Sequence, residues 1–452
     1  MGRGRRAAAV LARRLLRPKP RYAPPNPHLA WVSPMPPAPT GIASYSQAVL
    51  DGLGRIGFRE RRPIDVAWPL EAKHEWLIPS YRLSVYHVGN NIDFHGGIYR
   101  HAMHSPGLVV LHDLGLDDFV RGMIARGEPL GGRARREALA VAGRLTLPEA
   151  FANEPLRLPW CADLVRHSRG VIVHSEFCRR YLEDFDCRTP VFVVPHPAIE
   201  RDADMQRAAG RGRELRAELG LSEGDVLIVA AGDLNEAKRL DAVLAAARRL
   251  DPSPRVQVVL VGRRIGGYDV DRVAAASGLG SRVSVAADVP DRDFLGWLSA
   301  ADVVVDLRFP HRGESSGSLA RAMQAGRPAI VSGTGTYLDV PDDAVIRVAP
   351  GPPDPGELAF ALRGLIEDPS LRSAIGERAR AHVARIAERD LSARGYAGAI
   401  ERTLGLVLDP GRRALARWAG ALLDIGVTDE QVERGYGLSY ARAFEDFRHP
   451  SS

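Results

Sequence analysis

Residues 312–333, RGESSGSLARAMQAGRPAIVSG, place a carboxylate, Glu314, before three small residues, Ser315, Ser316 and Gly317. Arg321 follows one helical turn after Gly317, on the same face of the helix that this stretch predicts. The run before it, Asp302-Val-Val-Val-Asp-Leu307, reads as a buried parallel strand. A strand end, a loop and a helix N-terminus in that order form a place where α/β proteins bind ligands. The free N–H groups of such a terminus favour an anion such as phosphate, and Arg321 is within reach of the same anion.

Other chemistry-bearing residues also fall at strand ends. In PMPPAPTGIASYSQAVL (34–50), Thr40 and Gly41 open an amphipathic helix, which reads either as a phosphate-accepting terminus or as an ordinary Thr-capped start. VVLHD ends a strand on His112 and Asp113, and a histidine there can hold a hydroxyl or tune a proton transfer. It can equally be a structural hydrogen-bonding histidine, since His174 and His196 also sit at strand ends. AAGDLNEAKRL puts Gly232 at a strand end and Lys238 and Arg239 at a helix start. Cations there oppose the helix dipole unless an anion is bound, which favours a functional reading. Asp269-Val-Asp271 has the form of a metal–nucleotide motif but reads better as a helix N-cap with a first-turn acid. GRRIGG (262–267) lacks the features of a phosphate-binding P-loop and reads as a flexible loop near a nucleobase. No metal-ligand cluster is expected.

The elements that must position these groups are twelve short apolar runs alternating with helical patterns. They are HLAWVSP, DVAW, SVYHVGN, GLVVLHD, GVIVHS and VFVVPHP in the first half. The second half has DVLIVAAG, VQVVLVG, RVSVAA, DVVVDL, PAIVSG and AVIRVAP. Near-continuous Val, Ile and Leu strands between helices predict parallel sheets covered on both faces, in two doubly wound α/β domains. The expected division is a basic arm over 1–24, a first domain over 25–200, a polar junction over 201–224, a second domain over 225–385 and a helical extension over 386–452.

Composition bounds the function classes. At 452 residues the chain exceeds one ordinary core, and 45% hydrophobic with 26% charged residues describes a folded globular protein. No run approaches the about 20 apolar residues of a membrane span, and no secretory signal is apparent. The three cysteines have no CxxC or metal spacing, so reduced thiols in the cytoplasm are expected. The net charge of +6 gathers in residues 1–21, which hold Arg and Lys without an acid. Val10, Leu11, Leu15 and Leu16 fall at helical spacing there, so the arm either lies on the anionic inner face of a membrane or is a disordered basic tail. The charge does not continue as a basic face with interleaved aromatics, so no nucleic-acid partner is expected.

Taken in order, PPAPTGIASYS, VGNN…FHGGIY, VVLHD, VIVHSEF, VPHP, the Lys-Arg after Gly232 and GESSGSLARAMQAGRP resemble the retaining GT4 glycosyltransferases of the GT-B fold over most of residues 28–400. The resemblance implies two Rossmann-like domains facing across a cleft, with C-terminal helices crossing back. It implies a nucleotide-diphosphate sugar as donor, a glycan, lipid-linked or small-molecule acceptor, and no metal or other cofactor. It also implies roles. Gly41, with Thr40 and Asn90 nearby, approaches the donor; His112 contacts the transferring sugar, with Asp113 beside it. Lys238, with Gly232 and Arg239, meets the leaving diphosphate, Glu314 holds sugar hydroxyls, and the amides of Ser315, Ser316 and Gly317 receive phosphate oxygens. Two positions depart from the family. Asp233 stands where the family has Arg, and Arg321 stands where it has a ribose-gripping Glu. Arg has no acceptor atoms for hydroxyls. A non-catalytic nucleotide-sugar or glycan-binding protein on the same fold is the alternative expectation.

Overall fold

The structure, a computed structural model, describes residues 26–146, 154–185, 188–197, 200–251, 255–386 and 390–406. The basic arm and the tail containing Trp418 lie outside them. Among the described residues, twelve strands form two separate six-stranded sheets, and every strand pair is parallel. The first sheet contains β1 (Asn26–Val32), β2 (Ile64–Val66), β3 (Tyr81–Val88), β4 (Leu108–Leu111), β5 (Gly170–Val173) and β6 (Val191–Val193), in spatial order β2-β1-β3-β4-β5-β6. The second contains β7 (Val226–Ala231), β8 (Val256–Gly262), β9 (Val283–Ala287), β10 (Val303–Asp306), β11 (Ala329–Ser332) and β12 (Ile346–Val348), in order β12-β11-β10-β7-β8-β9. Each predicted apolar run overlaps one of these strands, with β1, β2 and β3 beginning before the runs that predicted them. The strand order reverses between β1 and β3 in the first sheet and between β7 and β10 in the second, and such switch points open a crevice at the carboxyl edge.

The runs read as strands because both faces are buried. In β7, Val226, Ile228 and Ala230 join one core cluster, while Leu227, Val229 and Ala231 join the cluster on the other face. The period of two distributes one uninterrupted apolar run between two layers of helices. Truncating a central residue such as Ile228 to Ala costs about 2–5 kcal/mol in a core of this kind.

Helix α1 (Gly41–Arg55) follows β1 and buries Tyr45, Val49 and Leu53 at helical spacing. The polar stretch expected as a junction contains the 17-residue helix α2 (Asp202–Glu218), packed on the second domain. Its Leu215 enters that domain's core. A Cβ at Gly212 would stand 3.0 Å from Gly296 O, a close approach to α3 (Asp291–Ala300) that explains a glycine inside a helix. Helix α4 (Gly317–Gln324) follows β10. Helix α5 (Leu391–Gly405) returns to the first domain, where Tyr396 OH lies 2.8 Å from Tyr45 OH in a shared core.

The carboxyl edges face each other, and several contacts cross between them. The amides of Leu114 and Gly115 donate to Arg312 O at 2.7 and 2.9 Å, and the Arg312 guanidinium pairs with Asp117 and Asp118. Cys178 Sγ donates to Gly313 O at 3.1 Å, and Arg263 Nη1 donates to Pro39 O at 3.0 Å.

Candidate functional site

On the second-domain side, β7 runs into Gly232 at φ 119°, a backbone region closed to most side chains. A Cβ there would stand 2.9 Å from Lys238 Nζ and from Ser318 Oγ, so glycine lets both groups approach the strand end. Lys238 lies in the 3-10 turn Glu236–Lys238, just before the helix whose start the sequence pattern assigned to it. Its ammonium is 5% exposed and pairs with Asp306, which is 0% exposed. Burial pulls the Lys238 ammonium below its ordinary value, against the Asp306 carboxylate. Burial pushes Asp306 up, but Lys238 and Arg308 together hold it below the usual carboxylate range, so the pair stays charged.

Helix α4 begins as the sequence predicts. Ser316 is its N-cap: the hydroxyl accepts from Leu319 N at 3.2 Å and donates to Asp306. The N–H groups of Ser315, Ser316 and Gly317 have no hydrogen-bond partner among the described residues. A Cβ at Gly317, or at Gly41 across the cleft, would meet nothing within 4 Å, so the protein itself does not require glycine at either place. Thr40 caps α1 through a long contact, Ile42 N to Oγ1 at 3.4 Å.

Glu314 sits in front of this terminus with both oxygens engaged. Oε1 accepts from Arg308 Nη1 at 2.5 Å, and Oε2 accepts from Arg312 N at 2.6 Å. Burial pushes this carboxyl up, but the Arg308 guanidinium, backbone N–H donors that include Arg312 N, and His311 together outweigh it and hold the group at about 2. Glu314 is therefore an ionised acceptor at neutral pH, held rigidly, with lone pairs left over for hydroxyl donors.

Across the cleft, His112 and Asp113 follow β4. Asp113 accepts from Asn90 N at 2.8 Å and is pushed up to about 6, first by burial and then by the Glu314 charge. That coupling joins the two edges electrostatically. Asn90 is a brace: Oδ1 accepts from Phe119 N at 2.9 Å and Nδ2 donates to Asp118 at 3.2 Å. His112 belongs to a cluster in which β3, β4, β5 and β6 each bring one histidine, His87, His112, His174 and His196, beneath Tyr45. Burial lowers the pKa of all four.

Two predicted residues are engaged elsewhere. Arg239, at φ 48°, donates to Asp241 at 2.9 and 3.1 Å. The Arg321 guanidinium donates to Glu200 Oε1 at 2.8 Å and lies 5.7 Å over the Phe294 ring. Asp233, which stands where the family has Arg, pairs with Arg263 at 2.9 Å. The discounted Asp269-Val-Asp271 is a capping pair as expected: Asp269 accepts from Arg272 N at 3.0 Å, and Asp271 pairs with Arg264.

The sequence pattern missed Asp306, Arg308, Arg312 and His87. A charge ending a run of valines marked Asp306, because a buried strand end tolerates a carboxylate only beside a partner. Arg308 and Arg312 flank Glu314 by sequence, but their pairings depend on tertiary approach. Among the described residues, no group of three or more His, Cys, Asp and Glu side chains is arranged to hold a metal ion. A separate concavity at the opposite edge of the second sheet is lined by Asp302, Arg327, Arg372 and Arg380. Arg372 and Arg380 there donate to backbone carbonyls that include Leu365 O and Ala325 O, a structural use of cations.

Two doubly wound domains with opposed carboxyl edges, a helix N-terminus and a lysine at the strand-end glycine define a GT-B fold. Residues 212–382 match the family Glycosyl transferases group 1. The chain is 28% identical over 222 residues to D-inositol 3-phosphate glycosyltransferase 1 of Catenulispora acidiphila, covering 47% of this chain and 50% of that protein. It is 26% identical over 366 residues to the D-inositol 3-phosphate glycosyltransferase of Mycobacterium bovis, covering 78% and 70%. The match to the first of these spans half of that relative's length. Anabaena HepE in complex with UDP-glucose has a similar fold, with TM-score 0.57 and 16% identity over 84% of this chain and 100% of that one. Sucrose-phosphate synthase of Thermosynechococcus elongatus gives TM-score 0.57 and 18% identity over 84% and 99%.

Proposed function

We propose that the protein is a retaining hexosyltransferase, moving a sugar from a nucleoside diphosphate to an acceptor hydroxyl with its anomeric configuration kept. The observation that carries this reading is the convergence of Lys238, the free amides of Ser315–Gly317 and the ionised Glu314 on one edge of the cleft, opposite His112 and Asp113. The diphosphate would lie against the α4 N-terminus with Lys238 beneath it, where positive charge stabilises the departing group. The anomeric C–O bond breaks through an oxocarbenium-like state. The acceptor oxygen bonds to the same face, and its proton passes to the leaving phosphate oxygen. Glu314 holds sugar hydroxyls and His112 contacts the sugar from the opposite domain.

A uridine donor is supported by the UDP-glucose complex of HepE. The acceptor is a glycan, a lipid-linked sugar or a small polyol, the last in line with relatives named for D-inositol 3-phosphate. Synthesis of cell-envelope glycolipid or polysaccharide on the cytoplasmic face, with residues 1–21 touching anionic lipid, completes the reading. No cofactor is needed for this chemistry. The test is release of nucleotide from UDP-, GDP-, ADP- and dTDP-sugars, with the anomer of the product read by NMR. Turnover of one donor, lost in Lys238→Ala, is expected. Binding of a donor without turnover would support a nucleotide-sugar-binding protein instead.

A further inference from the structure

His112 does not stand alone at its strand end. Its Nε2 lies 3.1 Å from Nδ1 of His87, which is fully buried near the end of β3. The two rings are stacked, with centroids 5.3 Å apart, and the Trp31 ring lies 4.6 Å from His87 on the inner side. One proton must sit between the two nitrogens, and its origin fixes both tautomers. His87 Nε2 is buried without a hydrogen-bond partner among the described residues. If that nitrogen carried the proton, a buried N–H would be orphaned. If Nδ1 carries it, only an acceptor lone pair is left unmatched, the less rare of the two defects in folded proteins. Neighbouring histidines follow the same pattern: Nδ1 of His95 and of His174 face the carbonyls of His87 and Val194 at 3.0 and 2.9 Å, which requires Nδ1–H in each.

We infer that His87 is a positioning residue: its Nδ1–H donates to His112 Nε2, which locks His112 as the Nδ1–H tautomer and presents a neutral N–H donor to the cleft. His112 Nδ1 has no hydrogen-bond partner among the described residues and is the nitrogen left for a ligand. It then binds an oxygen of the donor, a sugar hydroxyl or a phosphate oxygen, and is unable to act as the base that takes the acceptor's proton. This deepens the transferase reading and rests on it for the identity of the ligand, although the tautomer itself does not.

The experiment is two-bond 15N–1H correlation NMR of the full chain labelled at histidine, with His112 assigned by loss of its signals in His112→Gln. The wild type is expected to show Nδ1–H at His112. His87→Phe keeps a ring beside Trp31 and removes the donor, and His87→Asp, whose carboxylate accepts near the former Nδ1, is expected to turn His112 to the Nε2–H tautomer. His87→Asn places an amide N–H near the former Nδ1 and is expected to restore the wild-type pattern. Nε2–H at His112 in the wild type, or Nδ1–H unchanged in His87→Asp, would overturn the inference. With a donor that turns over, His87→Phe should lower kcat about tenfold, the worth of one aligned hydrogen bond, with KM changed less than twofold and recovery in His87→Asn. Equal losses in both variants would assign His87 to packing. If no donor turns over, the transferase reading fails while the NMR result still decides the tautomer.

Discussion

The ammonium of Lys238 and the carboxylate of Asp306 form an ion pair inside the second domain, 5% and 0% exposed, directly beneath the first turn of α4. Asp306 also accepts from the Ser316 hydroxyl that caps this helix. The same carboxylate therefore fixes the lysine and the helix N-terminus.

Removing one partner strands the other. Lys238→Met is expected to leave Asp306 buried with only the Ser316 hydroxyl and the Arg308 charge and to cost about 3–5 kcal/mol, measured by urea unfolding. Lys238→Met combined with Asp306→Leu should recover most of that stability without recovering transfer. Recovery of transfer in the double variant would show that the lysine serves the fold and not the leaving group.

Asp113 predicts how donor binding depends on pH. Its carboxyl titrates at about 6, coupled to Glu314, so above that pH two carboxylates face each other across the cleft. Binding of a nucleotide-sugar anion should tighten up to about tenfold as pH falls from 7 to 5, the effect of one pKa unit of coupling. UDP-glucose suits the measurement, because its diphosphate is esterified at both ends and does not titrate there. Asp113→Asn should flatten the profile, and an unchanged slope would refute the assignment. The stability signs are opposite for the two acids. Asp113, raised in the folded state, contributes most below about 4, and the contribution is lost as pH rises through 6. Glu314, held at about 2, contributes above about 4.5 and loses it as pH falls towards 2.

The architecture was legible because parallel strands buried on both faces leave uninterrupted apolar runs, and DVLIVAAG and DVVVDL contain β7 and β10. The helix seat at Ser316 was legible because capping is local chemistry. Side-chain destinations were not. Arg321 lies one turn from Gly317, but Glu200, distant in sequence, takes its guanidinium. Arg308, six residues earlier in the same loop, takes Glu314. Alternation and capping depend on nearest neighbours in sequence. Ion pairs depend on which strand ends meet.

Arg321 and Glu200, 23% and 11% exposed, tie α4 to the segment that follows β6. Gln324 Nε2 adds a bond to Glu200 O at 3.0 Å. Arg321→Glu sets two carboxylates together and should destabilise the protein by about 1.5–3 kcal/mol, the worth of a charged hydrogen bond, read as a lower melting temperature. Adding Glu200→Arg should restore most of it, together with any loss of nucleotide affinity. Nucleotide affinity that stays altered in the stable swapped variant would mean that Arg321 reads the ligand directly.

The histidine cluster makes the first domain sensitive to acid. Burial holds His95 and His174 at about 4 and His196 at about 3, with His87 and His112 also well below the ordinary value of 6.5. A group whose folded pKa lies below its unfolded one takes up its proton mainly in the unfolded chain. The histidines' contribution to stability is therefore complete above about 6.5 and falls as pH drops towards 4. His174 offers the cleanest check. Nδ1 faces Val194 O at 2.9 Å, and Nε2 is buried without a partner among the described residues. His174→Asn keeps a donor for the carbonyl and cannot be protonated. Its melting temperature should fall less than that of the wild type between pH 7.5 and pH 5. Parallel curves would place the acid sensitivity outside this cluster.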